Sequence, residues 1–267
     1  TANASTSQYL AAAVWAAAQL YRVTGKSQYA VDTVAYADRL LACQDRGETG
    51  CGIDGFFYRD ATKRSIVHFN HQSREHIFVQ ALCAACRALP DAEEKPRWEK
   101  AMRRYGTYLK ALRQYTAPYG MLPAGVYHES EIEDERTFRV MHPTVNFERE
   151  KKNYREQLDN GVSLGNGYFI RCFPVWFSFR GNSAVHMAMG KAASLLGRYF
   201  GDEELLDIAR EQLYWTLGKN PFGESLIYGE GSRYGQQYTA LLGETVGEIP
   251  VGVQTRRNED LPYWPPA

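Results

Sequence analysis

Two adjacent carboxylates, Glu259 and Asp260, lie in RRNEDLPYW beside Tyr263 and Trp264. Acids next to aromatic rings suit a sugar. The rings cover its apolar faces, and the carboxylates accept hydroxyl hydrogen bonds or move protons. The competing reading is a solvated pair neutralised by Arg256 and Arg257. A second carboxylate, Glu230, sits in YGEG, where the flanking glycines let backbone approach a ligand closely. Its competing reading is a loop brace to Arg233. Arg233 and Tyr238 belong to the following run, SRYGQQYTALLGE, and are counted as substrate contacts. His68, His71, Arg74 and His76 form a third group in VHFNHQSREH, at the start of a helix. Imidazole and guanidinium groups bind hydroxyls and carboxylates well, although ordinary first-turn packing uses the same residues. A fourth group is Trp176 with Arg180 in FPVWFSFR, where the ring either stacks on a sugar or fills core.

Other chemistries lack their motifs. Ser225 lies in GES with no GxSxG elbow, which argues against a serine hydrolase. Neither a phosphate-binding Walker loop nor a dinucleotide fingerprint occurs. Cys83 and Cys86 are one helical turn apart, but no second Cys or His pair completes a zinc set, so neither metal nor cofactor is expected. Cys43 and Cys51 bracket a polar loop and are read as buried thiols, with a disulfide as the alternative. Lys plus Arg and Asp plus Glu number 31 each, which gives no electrostatic case for nucleic acid or an anionic membrane. No apolar run approaches the ~18 residues of a membrane span.

These groups need elements to position them. Hydrophobic residues make up 44% of the 267 positions, enough for a substantial core. Ser5 or Thr6 caps an Ala-rich helix that Gly25 ends. Ser27 caps a second, running to about Gln44. A glycine-rich loop, DRGETGCGIDGFFYRDATKRSIVHFN, leads to a third helix over 71–89. After the Pro90-Asp91 break a fourth covers about 93–114. Residues 115–180 show no sustained periodicity, so they are read as a long functional loop or as short strands. Asn182 or Ser183 caps a fifth helix, and Asp202 a sixth that ends at Gly218. Beyond it the chain reads as loop. The pattern is helix, short turn, helix, long loop, three times. Short turns then gather on one face and long loops on the other, which becomes the site-bearing face.

The run QLYWTLGKNPFGESLIYGEG resembles glycoside hydrolase family 9 in its Gln, Tyr, Leu-Gly, Asn-Pro, then Ser and Gly-x-Gly. GETVGEIPVG after it is similar too. ASTSQYLAAAVWAAAQLYRVTGKSQYA resembles one of the family's helical hairpins. FNHQSREHIFVQAL, APYGMLPAGVYHE and IRCFPVWFSFRGNSAV look like an atypical bacterial branch. The resemblance spans the chain and is most specific over residues 212–264.

It implies an all-α (α/α)6 toroid, with about three of six hairpins present in residues 1–267. It also implies inverting hydrolysis of β-glycosidic bonds in a glucan or related polysaccharide. The family's Asp-rich base motif has no match before residue 54, and its His-His-Arg triplet is absent from SRYGQQYTALLGE. DLPY matches the segment that precedes the catalytic Glu, which places the acid beyond Ala267. The chain is therefore read as part of one domain cut at both ends. Its partners are a carbohydrate and the rest of the parent chain, and the family favours a secreted or periplasmic setting. The alternatives are another (α/α)6 enzyme, an unsaturated-uronide hydrolase or polysaccharide lyase, and a non-catalytic helical scaffold or carbohydrate-binding domain.

Overall fold

Ser5 begins the first helix by a reciprocal cap. Its hydroxyl accepts from the Gln8 amide while the Gln8 side chain accepts from the Ser5 amide, satisfying two donors a helix start leaves open. Helix α1 (Thr6–Thr24) ends at Gly25, whose φ of 66° is left-handed, and α2 (Ser27–Leu41) follows at once. The computed structural model describes residues 4–68, 76–142, 146–173, 183–235, 245–249, 252, 254–255 and 262–263. The remaining hairpins pair α3 (Ile77–Ala88) with α4 (Lys95–Arg113), and α7 (Ser183–Phe200) with α8 (Glu203–Thr216). The three expected hairpins are therefore present, and the fold is all-α as the resemblance implied.

The helices form two layers, and their composition says why. Ten of the twelve residues of α3 are buried, and it packs on both α1 and α7. A helix apolar all round belongs inside. By contrast, α2 buries only Thr33, Ala37, Leu40 and Leu41, one stripe, and α4 is mostly polar outside its buried face. Thus α1, α3 and α7 make the inner layer and α2, α4 and α8 the outer. Lys110 of α4 ties the outer layer together, reaching Asp202 at 2.8 Å and Glu204 at 2.9 Å, at the start of α8. Asp202 also caps α8 by accepting from the Leu205 amide, as its position predicted.

Three expectations need correction. Ser27 is the first residue of α2 and not its cap; Lys26 holds that place without a side-chain bond, and the helix stops at Leu41, short of Gln44. Gln44 leaves the helix because its Nε2 donates to the Gly55 and Ala101 carbonyls, and its backbone bridges to Phe57. Of the two readings of 115–180 the described residues bear out short strands, but with two helices that the periodicity missed. The stretch holds α5 (Glu135–Met141), α6 (Phe147–Asp159) and a sheet of β1 (Val126–His128), β2 (Val162–Gly165) and β3 (Tyr168–Ile170), ordered β1-β3-β2 and antiparallel throughout. After Gly218 the chain is not wholly loop either, since β4 (Gln254–Thr255) pairs with β5 (Pro262–Tyr263).

The β2–β3 hairpin had a legible signal. Asn166 and Gly167 have φ of 52° and 77°, the two left-handed residues of a tight turn whose twist matches the strands. Gly167 is required twice over, because a Cβ there would stand 2.8 Å from Glu129 Oε1 and 3.0 Å from His128 Nε2.

Candidate functional site

The long loops do converge. Residues 42–68, between α2 and α3, fold back on the inner layer. Phe57 stacks on Phe78 of α3 at 4.1 Å, and the Ser7 amide at the start of α1 donates to the Arg59 carbonyl. Tyr58 pairs across an isolated bridge with Ile66, which fixes its backbone, and its ring meets Phe56 edge-on at 5.3 Å. Against this loop lies the sheet of the second long connection. Together they enclose a cleft of about 460 Å³, lined by Tyr58, Lys63, Arg64, His128, Ser130, Glu133, Asp134 and Tyr168 among others.

The cleft mixes rings with polar groups. The Tyr58 hydroxyl donates to that of Tyr168, and burial, with that bond second, pushes its pKa well up; burial raises Tyr168 as well. Both stay protonated in any working range and serve as neutral hydrogen-bonding groups. The His128 tautomer is fixed by its neighbours. Its Nδ1 accepts from the Ser130 amide at 3.1 Å, so Nε2 carries the proton and donates to the Asn166 carbonyl at 3.1 Å. Both Asp134 oxygens are taken by Thr137, whose amide and hydroxyl donate to them in capping α5. Lys63 pairs with Glu48. Glu133 is exposed, and among the described residues it has no hydrogen-bonding or ionic partner. The cleft therefore offers a free carboxylate, two phenols, a fixed imidazole and Arg64, a lining that suits hydroxyl-rich ligands.

Behind the wall sits a buried network. His68 is 3% exposed, lies parallel to Tyr127 at 4.0 Å between centroids, and bonds through Nε2 to Glu131 Oε2 at 2.5 Å. The other Glu131 oxygen accepts from the His128 amide, and the Tyr154 hydroxyl donates to the His128 carbonyl. His128 is thus held on both backbone sides. His142 is stacked on Phe138 at 4.0 Å and paired with Glu150 at 3.4 Å; burial lowers its pKa.

The expected site residues fall in several places. His68 faces this interior network, so its part is to brace the cleft wall from within. His76 immediately precedes α3. Glu230 is exposed in a turn, where its amide donates to the Ile227 carbonyl. Arg233 pairs with Glu224 at 3.3 Å, so the loop brace exists but uses Glu224 and not Glu230. Backbone atoms of Tyr263 pair with Gln254. His71, Arg74, Trp176, Arg180, Tyr238, Glu259, Asp260 and Trp264 lie outside the described residues. Tyr58, His128, Glu133 and Tyr168 were missed. Nothing local marks a tyrosine or histidine in a loop as part of a cleft, although the Asn-Gly turn marks the hairpin that carries Tyr168.

The Gln and Asn-Pro motif proves to be a clamp. Gln212, 1% exposed, accepts from the Leu122 amide and donates to the Gly120 carbonyl, joining α8 to the loop ahead of β1. Asn220 donates to the Trp215 and Glu224 carbonyls and accepts from the Phe222 and Glu224 amides. Gly229 passes so close to Val246 that a Cβ would meet its side chain at 2.8 Å, which docks YGEG on residues 245–249. All five cysteines are buried free thiols. Among the described residues no group of acids, histidines and cysteines is arranged to hold a metal, and no helix is long and apolar enough to cross a membrane.

The family model described as Glycosyl hydrolase family 9 matches residues 2–240. A comparison with curated proteins gives no match.

Proposed function

We propose that this chain, which belongs to glycosyl hydrolase family 9, serves the inverting hydrolysis of β-glycosidic bonds in a glucan or related polysaccharide. Inversion needs a base that activates water and an acid that protonates the leaving oxygen, roughly 6.5–9.5 Å apart. Glu259 and Asp260 are the carboxylates within this chain that could take a catalytic part, and its main contribution is the walls of the sugar site. Glu259, Asp260, Tyr263 and Trp264 contact substrate near the reacting bond, with Tyr238, Arg233 and Glu230 along the same loops. Trp176, Arg180, His71 and Arg74 extend the sugar surface from the other two long connections. No cofactor or metal takes part.

One observation carries the reading: two long connections meet in a cleft lined by Tyr58, Tyr168, His128 and the free Glu133. There a pyranose lays its apolar face on the Tyr168 ring and donates hydroxyls to Glu133. His128 keeps its orientation throughout, because Glu131 and Tyr154 hold its backbone.

The test has two arms. Titrating residues 1–267 with soluble β-glucan oligosaccharides by calorimetry gives saturable binding, and Glu133→Gln weakens it about three- to tenfold, the loss of one charged hydrogen bond partner. Unchanged affinity in both Glu133→Gln and Tyr168→Ala removes the cleft from the sugar site. Reducing-end assays on the same chain decide the part of Glu259 and Asp260. Robust turnover that Glu259→Gln or Asp260→Asn abolishes makes that carboxylate catalytic, and no turnover, or turnover that neither variant moves, leaves both as substrate contacts.

A further inference from the structure

The outer flank of the helical layer holds a second cleft, which shares no lining residue with the first. It measures about 370 Å³ between α2 and α4, and its lining includes Asp38, Gln44, Arg46, Arg97, Lys100 and Arg104. Four cations face one acid there, in a chain whose charges balance overall at 31 against 31. Arg97, Lys100 and Arg104 follow i, i+3, i+7 spacing, which places them on one stripe of α4. Like charges on one stripe repel and cost helix stability. The lone acid relieves only one of them, because Asp38 is committed to Arg97 at 2.7 Å. Among the described residues no carboxylate lies within ion-pair distance of Arg46, Lys100 or Arg104.

Arg46 is already positioned. Its Nη2 donates to the Leu41 carbonyl at 3.1 Å, which blunts the negative end of α2 that would oppose an anion. Gln44 forms part of the floor, held by its bonds to Gly55 and Ala101. The Arg46 and Arg104 guanidinium groups and the Lys100 ammonium line the cleft from α4 and the loop after α2, with Arg97 shared with Asp38. That is more donors, from more directions, than a planar carboxylate accepts, and it matches the several oxygens of a tetrahedral anion.

We propose that the cleft between α2 and α4 binds a tetrahedral oxyanion, phosphate or sulfate, either free or carried on a sugar. Binding neutralises the α4 stripe and joins the outer helices of the first two hairpins. Calorimetry on residues 1–267, at low ionic strength with chloride matched, tests it with four probes: inorganic phosphate, inorganic sulfate, a hexose 6-phosphate and the unmodified hexose. The three anions bind saturably with a Kd of about a millimolar or below, and the neutral hexose does not. A hexose phosphate tighter than phosphate assigns the anion to a sugar, and equal affinities assign it to the free ion. Lys100→Ala with Arg104→Ala weakens binding at least about tenfold. Asp38→Asn tightens it severalfold by removing the one opposing charge. Circular dichroism confirms that the variants fold, as surface substitutions on a helix do. No saturable heat with any anion, or an affinity that neither the double variant nor Asp38→Asn moves, overturns the proposal.

Discussion

Asn220→Ala removes four hydrogen bonds from a side chain that is 5% exposed. Two are donated, to the Trp215 carbonyl at 2.9 Å and the Glu224 carbonyl at 2.8 Å. Two are accepted, from the Phe222 amide at 3.1 Å and the Glu224 amide at 3.4 Å. The last is long and contributes little. The other three, at about 1 kcal/mol net each, give a loss of about 3 kcal/mol. For a chain of this size that is about 6–12 °C in Tm. Asn220→Asp separates donors from acceptors. It keeps both accepted bonds but turns a carboxylate oxygen toward two carbonyl oxygens, so at neutral pH it destabilises by at least the two donated bonds, about 2 kcal/mol. Urea unfolding followed by tryptophan fluorescence reads both, with Lys219→Ala, an exposed neighbour, as control within about 0.5 kcal/mol. An unchanged slope with a lower midpoint locates the effect in the folded state. If Asn220→Ala unfolds within about 0.5 kcal/mol of the parent, the clamp is exchanged for water at no cost and the reasoning fails. Wild-type stability in Asn220→Asp would show that the donated bonds carry nothing.

Gly55→Ala is the severe glycine substitution. Its φ is 98°, and a Cβ would stand 2.5 Å from the Arg104 backbone carbonyl oxygen. Strain and overpacking together cost about 2–5 kcal/mol, whereas Gly25→Ala, with open space around it, pays only the left-handed conformation at about 1–2 kcal/mol; chemical denaturation distinguishes them. His186 is buried against Trp215, and burial depresses its pKa to about 3. Its unfolded value is about 6.5, so the unfolded chain binds the proton first. Stability is complete above about pH 6.5 and falls as pH drops toward 3, by up to about 1.4 kcal/mol per pH unit from this residue. His186→Leu therefore flattens the pH dependence of urea midpoints between about pH 6.5 and 4, and an unchanged slope refutes the assignment. Burial pushes the Cys43 and Cys83 thiols up to about 11. A charged disulfide reagent at pH 8 accordingly labels the native chain slowly and all five cysteines in urea, whereas fast native labelling contradicts their burial.

The helices were legible because their rules act within a turn or two. The Ser5 hydroxyl reaches Gln8, Gly25 supplies its own backbone freedom, and Asp202 caps Leu205, all from local geometry. Their order, in pairs separated by long connections, followed from the same periodicity, and the Gln and Asn-Pro run carried the family. The second connection was harder to read. Its strands are three or four residues long, too short for alternation to show, and β1 finds β3 across a gap that α5 and α6 occupy.

Roles were less legible than elements. The Gln212 side chain meets residues 120 and 122 some ninety positions earlier, and only that meeting shows it to be a clamp. His68 was read with the histidines beside it in sequence, yet it turns inward to Glu131, 63 residues away. No local pattern encodes such a partner, since it depends on how two loops close over the same inner helices. The cleft follows the same logic: Tyr58, Glu133 and Tyr168 come together only because a bridge, a 3₁₀ turn and a hairpin end at one place. The sequence by itself determined the hairpins and the family, through contacts one helical turn apart. Tertiary structure alone decided which polar side chains brace the wall and which face the cleft, because that choice is made by packing between distant segments.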